Sequence, residues 1–375
     1  MLLVVAAGVY LLPADPEGDV VAAGVWKVLP ASGLVGRSDP SVVWTRRAMI
    51  VWGGEADSGV RGDGASYDLA SDTWTPLAPA QLSPRRGQSS VWTGASMVIY
   101  GGVGIAGECP RTCALGDGAA YDPNSNTWTP IAPAPLVPRS GHSALWVQNR
   151  MVIWGGAAED GAALADGAFY DPATDSWTAL PASPLEARVG HRAVGTTHRM
   201  LVWGGSSDVS DGARDFADGA VYSPVTNTWS PMAPGPLSAR TTVASVWTGK
   251  EMLVWGGYGR SAACTRCPLG DGAAYDVDTN SWSPMAPSPL SGRGGHRAVW
   301  TGRDMLVWGG SDVEPQSDGA LFGPAGNSWA RVVPGPLPAR QEHAVIWTGR
   351  QLLVWGGGGA SAKLADGAVL TLRAS

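Results

Sequence analysis

Apolar runs recur along the chain in step with one short pattern, four hydrophobic residues followed by two glycines, as in Met305-Leu306-Val307-Trp308-Gly309-Gly310. The other Gly-Gly pairs are Gly53-Gly54, Gly101-Gly102, Gly155-Gly156, Gly204-Gly205, Gly256-Gly257 and Gly356-Gly357, spaced 48, 54, 49, 52, 53 and 47 residues apart in order. Such a period marks an array of supersecondary units, none of which buries its faces alone. Each unit opens with an Arg (Arg37, Arg85, Arg139, Arg188, Arg240, Arg293, Arg340) at the head of a first apolar run. In six units a Trp stands seven residues later, and in the fourth Gly195 takes its place. A short turn then leads into the run ending in Gly-Gly, which predicts a hairpin of two strands, a and b. Both runs are continuously apolar, so both strands are expected to be buried on both faces.

Beyond the glycines comes a loop of variable length and then Asp-Gly-Ala in all seven units, at Asp63, Asp117, Asp166, Asp218, Asp271, Asp318 and Asp366. Strand c is expected to start there. An aromatic follows four residues on in six units, and a turn rich in Pro, Asn, Asp and Thr leads to strand d with its own Trp. Six such d strands follow a complete a-b-c set, at Trp74, Trp128, Trp177, Trp229, Trp282 and Trp329, but the last unit runs out at Leu372 without one. Trp26, in Val25-Trp26-Lys27-Val28, stands 48 residues before Trp74. If it supplies the missing strand, seven four-stranded sheets close into a ring with no open end.

Composition refines this picture. A repeat running through all 375 residues argues for one domain, and 44% hydrophobic content with 52 Gly and 29 Pro between apolar runs is the balance of an all-β protein. A net charge of -6 without a Lys/Arg run lacks the footprint of a nucleic-acid binder. Residues 1-24 form an apolar N-terminal segment and linker ahead of the repeat body, 25-375. Met1 to Leu12 is too short to span a bilayer and reads as an export or anchor remnant or as an extra strand. All nineteen Trp fall on the grid of strands a, b and d, which argues for packing between sheets rather than ligand stacking.

The pattern of Gly-Gly, a Tyr on the next strand and a Trp seven residues later resembles the Kelch repeat over residues 26 to 372. The resemblance implies an all-β, seven-bladed β-propeller of four-stranded antiparallel blades, similar in architecture to the central domain of galactose oxidase, with the last blade closed by an N-terminal strand. Galactose-oxidase-like enzymes hold copper with two His and two Tyr, one Tyr cross-linked to Cys. Here the Tyr occupy repeat positions, the four Cys lie in two loops, and His142, His191, His296 and His343 all fall three residues after the unit's Arg. Only His198 is off-register, so no metal or other cofactor is expected.

Alternating strand direction brings the seven Arg and seven Asp to one rim, where pairing as charge-assisted hydrogen bonds is expected. The alternative is a ring of Arg, Arg37 and Arg340 among them, aimed at an acidic ligand. Departures from the repeat mark a second candidate. Two positions after the Arg most blades carry Gly, but blade 1 has Asp39 and blade 7 has Glu342. With Gln341 and Gln88 these predict a polar, acidic arc across neighbouring blades, suited to acid/base work or to binding a cation or sugar hydroxyls. Cys109 with Cys113, and Cys264 with Cys267, are expected to form two local disulfides in an exported, secreted or periplasmic protein, a shared zinc site being the weaker reading. The loops Val103 to Gly116 and Tyr258 to Gly270 are the candidate partner contacts. The expected function is a monomeric, non-enzymatic scaffold for a protein or carbohydrate partner; the alternative is a sugar-acting epimerase, mutarotase or oxidase-like enzyme at the channel mouth.

Overall fold

Each apolar hairpin gathers two further strands into an antiparallel sheet in chain order. In blade 1 these are a, Ser41–Trp44, b, Ala48–Trp52, c, Gly64–Asp68, and d, Thr73–Pro76. The computed structural model describes residues 21–104, 113–209, 213–261 and 264–373. Among these, six sheets of four strands and one of five form seven blades. The a strands touch one another around a complete circuit, including blade 7 against blade 1, so they enclose the central channel. The missing strand of blade 7 is Gly24–Val28, antiparallel to Gly367–Leu372 with Trp26 opposite Leu370. One pairing is additional. Val21–Ala22 runs parallel to the outer strand of blade 6, Val21 beside Arg331, which covers that edge before the chain enters blade 7.

Strand b is buried on both faces, as Met49, Ile50, Val51 and Trp52 show at 0% exposure. Strand a is not: in blade 1 its residues alternate between buried and half-buried, and its terminal Trp44 is half-buried. Both faces of strand a do pack on neighbouring blades, Val43 towards blade 2 and Val42 and Trp44 towards blade 7, but burial is only partial because this innermost strand borders the channel. The core lies between blades. Each strand-d Trp packs on the strand-b aromatic of the preceding blade, as Trp128 does on Trp52 at 5.6 Å, and Trp74–Trp355 closes the circuit at 6.0 Å. The same indole donates to that blade's backbone, Trp128 Nε1 to the Ala78 carbonyl at 2.9 Å and, at the seam, Trp74 Nε1 to Pro30 at 3.0 Å. The recurrent Tyr has an equally local task. Tyr121 donates to Asn126 Oδ1 at 2.8 Å, and that oxygen also accepts the Ala78 N–H of the blade before it. Asn126 sits at φ 54°, a left-handed turn position that Asn tolerates better than most residues.

The seven repeated Arg are the nodes of this ring. All are 0–1% exposed. In blade 1, Nη1 and Nη2 of Arg37 reach the two Asp63 carboxylate oxygens at 2.9 and 3.1 Å, Nε donates to the Val35 carbonyl, and Nη1 also reaches the Gly53 carbonyl. The other six Arg pair likewise with the Asp of their own blade. Their backbones join the blade before. Arg85 donates its N–H to the Arg61 carbonyl and accepts from Gly54; at the seam Arg37 donates to Leu364 and accepts from Gly357 at 2.8 Å. Gly-Gly is required by this approach: Gly155 and Gly156 lie at φ 70° and 97°, and a Cβ on Gly156 would stand 2.6 Å from the Ser140 carbonyl. Burial works to raise the Asp63 pKa, but the hydrogen bonds and charge of Arg37, with the charge of Arg61, win and hold it below its ordinary value.

The four repeated His fill the seams beneath the preceding blade's glycines. His191 stands edge-on to Trp154 at 5.1 Å, and His296 to Trp255 at 5.0 Å. Burial, helped by the adjacent Arg charges, pushes His142, His191 and His296 down to about 3, so they are neutral in the native protein. Gln88 occupies the equivalent place in blade 2, its side chain against Gly53.

Two outcomes follow for stability. Asp318→Asn leaves the guanidinium of Arg293 buried beside a neutral amide, and urea unfolding should show a loss of about 3 kcal/mol, the low end for a broken buried pair because Asp318 is partly solvated. Unchanged stability would remove the pairing from the fold's energetics. The His predict acid sensitivity. Their native pKa is depressed below the unfolded 6.5, so their contribution is complete above that value and is lost as pH falls from 6.5 towards 3. His296→Gln, which copies blade 2, should flatten the acid limb of stability against pH by up to about 1.4 kcal/mol per pH unit; an identical slope would contradict a buried neutral His296.

Candidate functional site

With the repeated polar residues committed to the scaffold, the remaining chemistry lies where a blade departs from the pattern. The residue two beyond the Arg adopts left-handed φ in every blade, with Gly at 61–67° in blades 2, 3, 4 and 6. Blades 1, 5 and 7 place Asp39, Thr242 and Glu342 there at 46°, 52° and 54°. A side chain in this conformation costs about 1–2 kcal/mol, so Asp39 and Glu342 stand where the fold alone favours glycine. They are adjacent across the seam, the Asp39 N–H donating to the Glu342 carbonyl at 2.9 Å. Both line the channel mouth.

Two residues further along strand a a second column breaks. Five blades carry small residues there, Ser41, Ser89, Ser143, Ala244 and Ala344, while blades 4 and 6 carry Arg192 and Arg297. Arg297 leans on the next blade, Nε to the His343 carbonyl at 3.1 Å, and reaches one blade further to Asp39 Oδ1 with Nη2 at 2.5 Å. Arg192 adopts the same lean, Nε to the Val243 carbonyl at 2.8 Å. The position corresponding to Asp39, two blades on from Arg192, is Gly295. Arg192 therefore has the carbonyl without the carboxylate, and among the described residues its guanidinium makes no ion pair. Burial and the neighbouring charge of Arg297 push its pKa down to about 10, against the opposing pull of Asp39 and Glu342. Glu342 is raised, first by burial and then by the Asp39 charge, with Arg297, Lys363 and Arg266 acting against the shift. The mouth thus holds one satisfied ion pair, one cation with no ion-pair partner among the described residues and one carboxylate biased towards its neutral form.

The other expected site residues fall elsewhere. Arg37 and Arg340 are buried against their Asp partners, so neither is available to a ligand. Gln88 leaves the arc for the interblade seam, its amide 3.5 Å from the Trp52 carbonyl. Gln341 flanks the mouth by pairing with Gly358. Cys113 is disulfide-bonded, while Cys109 lies outside the described residues. Cys264 and Cys267 are both thiols, contrary to the expected bridge. Their hairpin, Tyr258–Ser261 with Cys264–Pro268, is tied by backbone pairing of Gly259 with Cys267. It leans over the rim, with the Tyr258 hydroxyl on the Ser311 carbonyl and Arg266 stacked 4.1 Å over the Tyr258 ring. His198 lies exposed in its turn against Gln148. Arg192 and Arg297 escaped the sequence reading, although their column, one past the His, shows two cations among Ser and Ala.

Fold and mouth together define a seven-bladed antiparallel propeller closed by its N-terminal strand, with charges gathered at one end of its channel. The KLHDC2/KLHL20/DRC7 Kelch-repeats domain profile matches residues 20–183 and 141–357, and the chain belongs to the Kelch-repeat family. Among solved structures it is similar to one titled "Structure of YjhT", at 17% identity and a TM-score of 0.64, covering 81% of this chain and 99% of the other. That likeness is one of fold. A search of curated proteins finds no match.

The mouth's electrostatics predict a titration. Asp39→Asn removes the charge that raises Glu342, so the Glu342 pKa should fall towards its ordinary value, read from the side-chain carboxyl carbon by NMR. An unmoved midpoint would contradict the coupling.

Proposed function

We propose that this protein is a non-enzymatic binding scaffold whose channel mouth receives an acidic segment of a partner protein. The observation that carries the reading is Arg192, a cation in the channel wall held by one carbonyl and lacking the carboxylate that Arg297 possesses. A carboxylate from outside completes the pattern that blade 6 completes internally. Rim loops supply the surrounding contact, with Lys363 anchored on Ser38 Oγ at 2.8 Å and Arg266 held over Tyr258. Membership of a family that commonly serves as an interaction scaffold supports this, and the disulfide at Cys113 supports an exported protein. A rigid ring suits such work, because little ordering free energy is spent on the receptor side.

A second reading rests on Glu342. A carboxyl biased towards its protonated form beside the ion-paired Asp39 is the asymmetry that acid/base chemistry on a sugar uses.

Fluorescence polarisation with a labelled oligoglutamate peptide and its oligoglutamine counterpart tests the first. Binding should be confined to the acidic peptide, weaken with salt, and fall about tenfold or more in Arg192→Gln. Equal binding of both peptides, no binding of either, or indifference to Arg192→Gln would overturn the proposal. Under the scaffold reading, NMR of glucose anomers with the protein shows the buffer rate of interconversion; acceleration abolished by Glu342→Gln would install the enzyme reading.

A further inference from the structure

The opposite mouth of the channel, at the a–b turns, is ringed by tryptophan. Trp44, Trp92, Trp146, Trp247, Trp300 and Trp347 stand at or next to the end of strand a in six blades, with Gly195 in the gap. The other thirteen Trp all make ring contacts within or between blades. These six behave differently. All are half-buried. Among the described residues none has an aromatic partner, and none of their indole N–H groups donates to protein. They still serve interblade packing, Trp92 against the cluster between blades 1 and 2 and Trp146 against that between blades 2 and 3, but only in part, so each keeps exposed ring surface.

Between blades 1, 2 and 3 this mouth contains a cavity of about 350 Å³ lined by Thr45, Arg46, Trp92, Thr93, Gly94 and Trp146. Its polar edge is fixed. Thr45 Oγ1 accepts the Ala48 N–H at 2.9 Å and Thr93 Oγ1 accepts the Ser96 N–H at 2.9 Å, which locks both turns. Arg46 is held at φ 71°, exposed, with no ion pair or hydrogen bond among the described residues. A Cβ placed on Gly94 would meet nothing within 4 Å, so the floor of the turn is open. The cavity therefore offers indole surface, indole donors and a guanidinium, with no carboxylate among its lining residues. Its occupant must combine a flat apolar face with a rim of acceptor oxygens. A pyranose has both: its C–H face stacks on an indole while ring and hydroxyl oxygens take N–H donors. A peptide side chain supplies one or the other. A lipid surface needs indoles that project, and these are recessed between blades.

We infer that this second mouth is a carbohydrate site, in which the ring of an acidic sugar of the uronate class stacks on Trp92 or Trp146 and its carboxylate takes Arg46. The site is independent of the acidic-segment site at the other mouth.

Saturation-transfer NMR and calorimetry with glucuronate and with glucose test it. Both sugars should receive saturation at ring C–H protons, with glucuronate the tighter. Arg46→Gln, an exposed turn change, should erase the difference between the two sugars. Trp92→Ala and Trp146→Ala should each weaken glucuronate about tenfold or more, while Trp300→Ala across the ring and Arg192→Gln at the other mouth change nothing; circular dichroism confirms that each variant folds, and Trp92→Phe, which keeps a ring but loses the donor, should bind in between. No transfer to either sugar, transfer that survives both Trp→Ala changes, or binding to phosphatidylglycerol vesicles in place of sugar would overturn the inference.

Discussion

A buried guanidinium has to be neutralised and its donors used, or the fold carries an uncompensated charge in its interior. Seven times over, this chain solves that demand in the same way. The Arg that opens strand a spends its side chain on the Asp that opens strand c and on the glycine carbonyl between them, while its own backbone pairs with the preceding blade. Each Arg is therefore both the clasp of one blade and the hinge pin to the next. Glycine at the following two corners, the variable b–c loops and the position of strand c all follow from keeping that geometry. Since the blades are joined by such nodes in a circuit, the chain ends must meet, and Gly24–Val28 completes the circuit by lying against Gly367–Leu372.

This economy decides where function can reside. Tyr hydroxyls, strand-d indoles and repeated carboxylates are taken up in turns and seams, and the repeated His lie buried and neutral between blades. What is left are residues that depart from the column they occupy. Asp39 and Glu342 accept a backbone conformation better suited to glycine, and Arg192 and Arg297 stand where five blades place Ser or Ala. Each departure faces the channel, the one surface that a strand does not share with a neighbouring blade. At the other end of the same strand, six Trp pack only partly against the interblade clusters and keep ring surface exposed.

Repeat number, strand order and ring closure were legible because they depend on spacing, and spacing survives in a sequence without any knowledge of contacts. The Arg–Asp pairing was legible for the same reason, both partners recurring at each unit's two strand starts. The depth of burial of strand a is not legible, because an innermost apolar strand bordering the channel and one sealed in the middle of a sheet look alike in sequence. Gln88 was placed on the rim because its letter is polar, whereas packing beneath Gly53 puts it where other blades bury His. Arg192 and Arg297 are harder to see in the sequence, because their column mixes Ser, Ala and Arg, whereas two residues earlier glycine in four blades sets off Asp39 and Glu342 sharply.

If the Arg nodes close a ring, the seam between blades 7 and 1 is as cooperative as any other. Native-state hydrogen exchange of the Gly357 amide, which donates to the Arg37 carbonyl, reads this directly beside the Gly156 amide, which donates to Arg188 between blades 3 and 4. Equal protection, with both amides opening only in global unfolding, is the expected result. Rapid exchange of Gly357 while Gly156 stays protected would show an open stack of blades, and the closed circuit of buried arginines would be wrong.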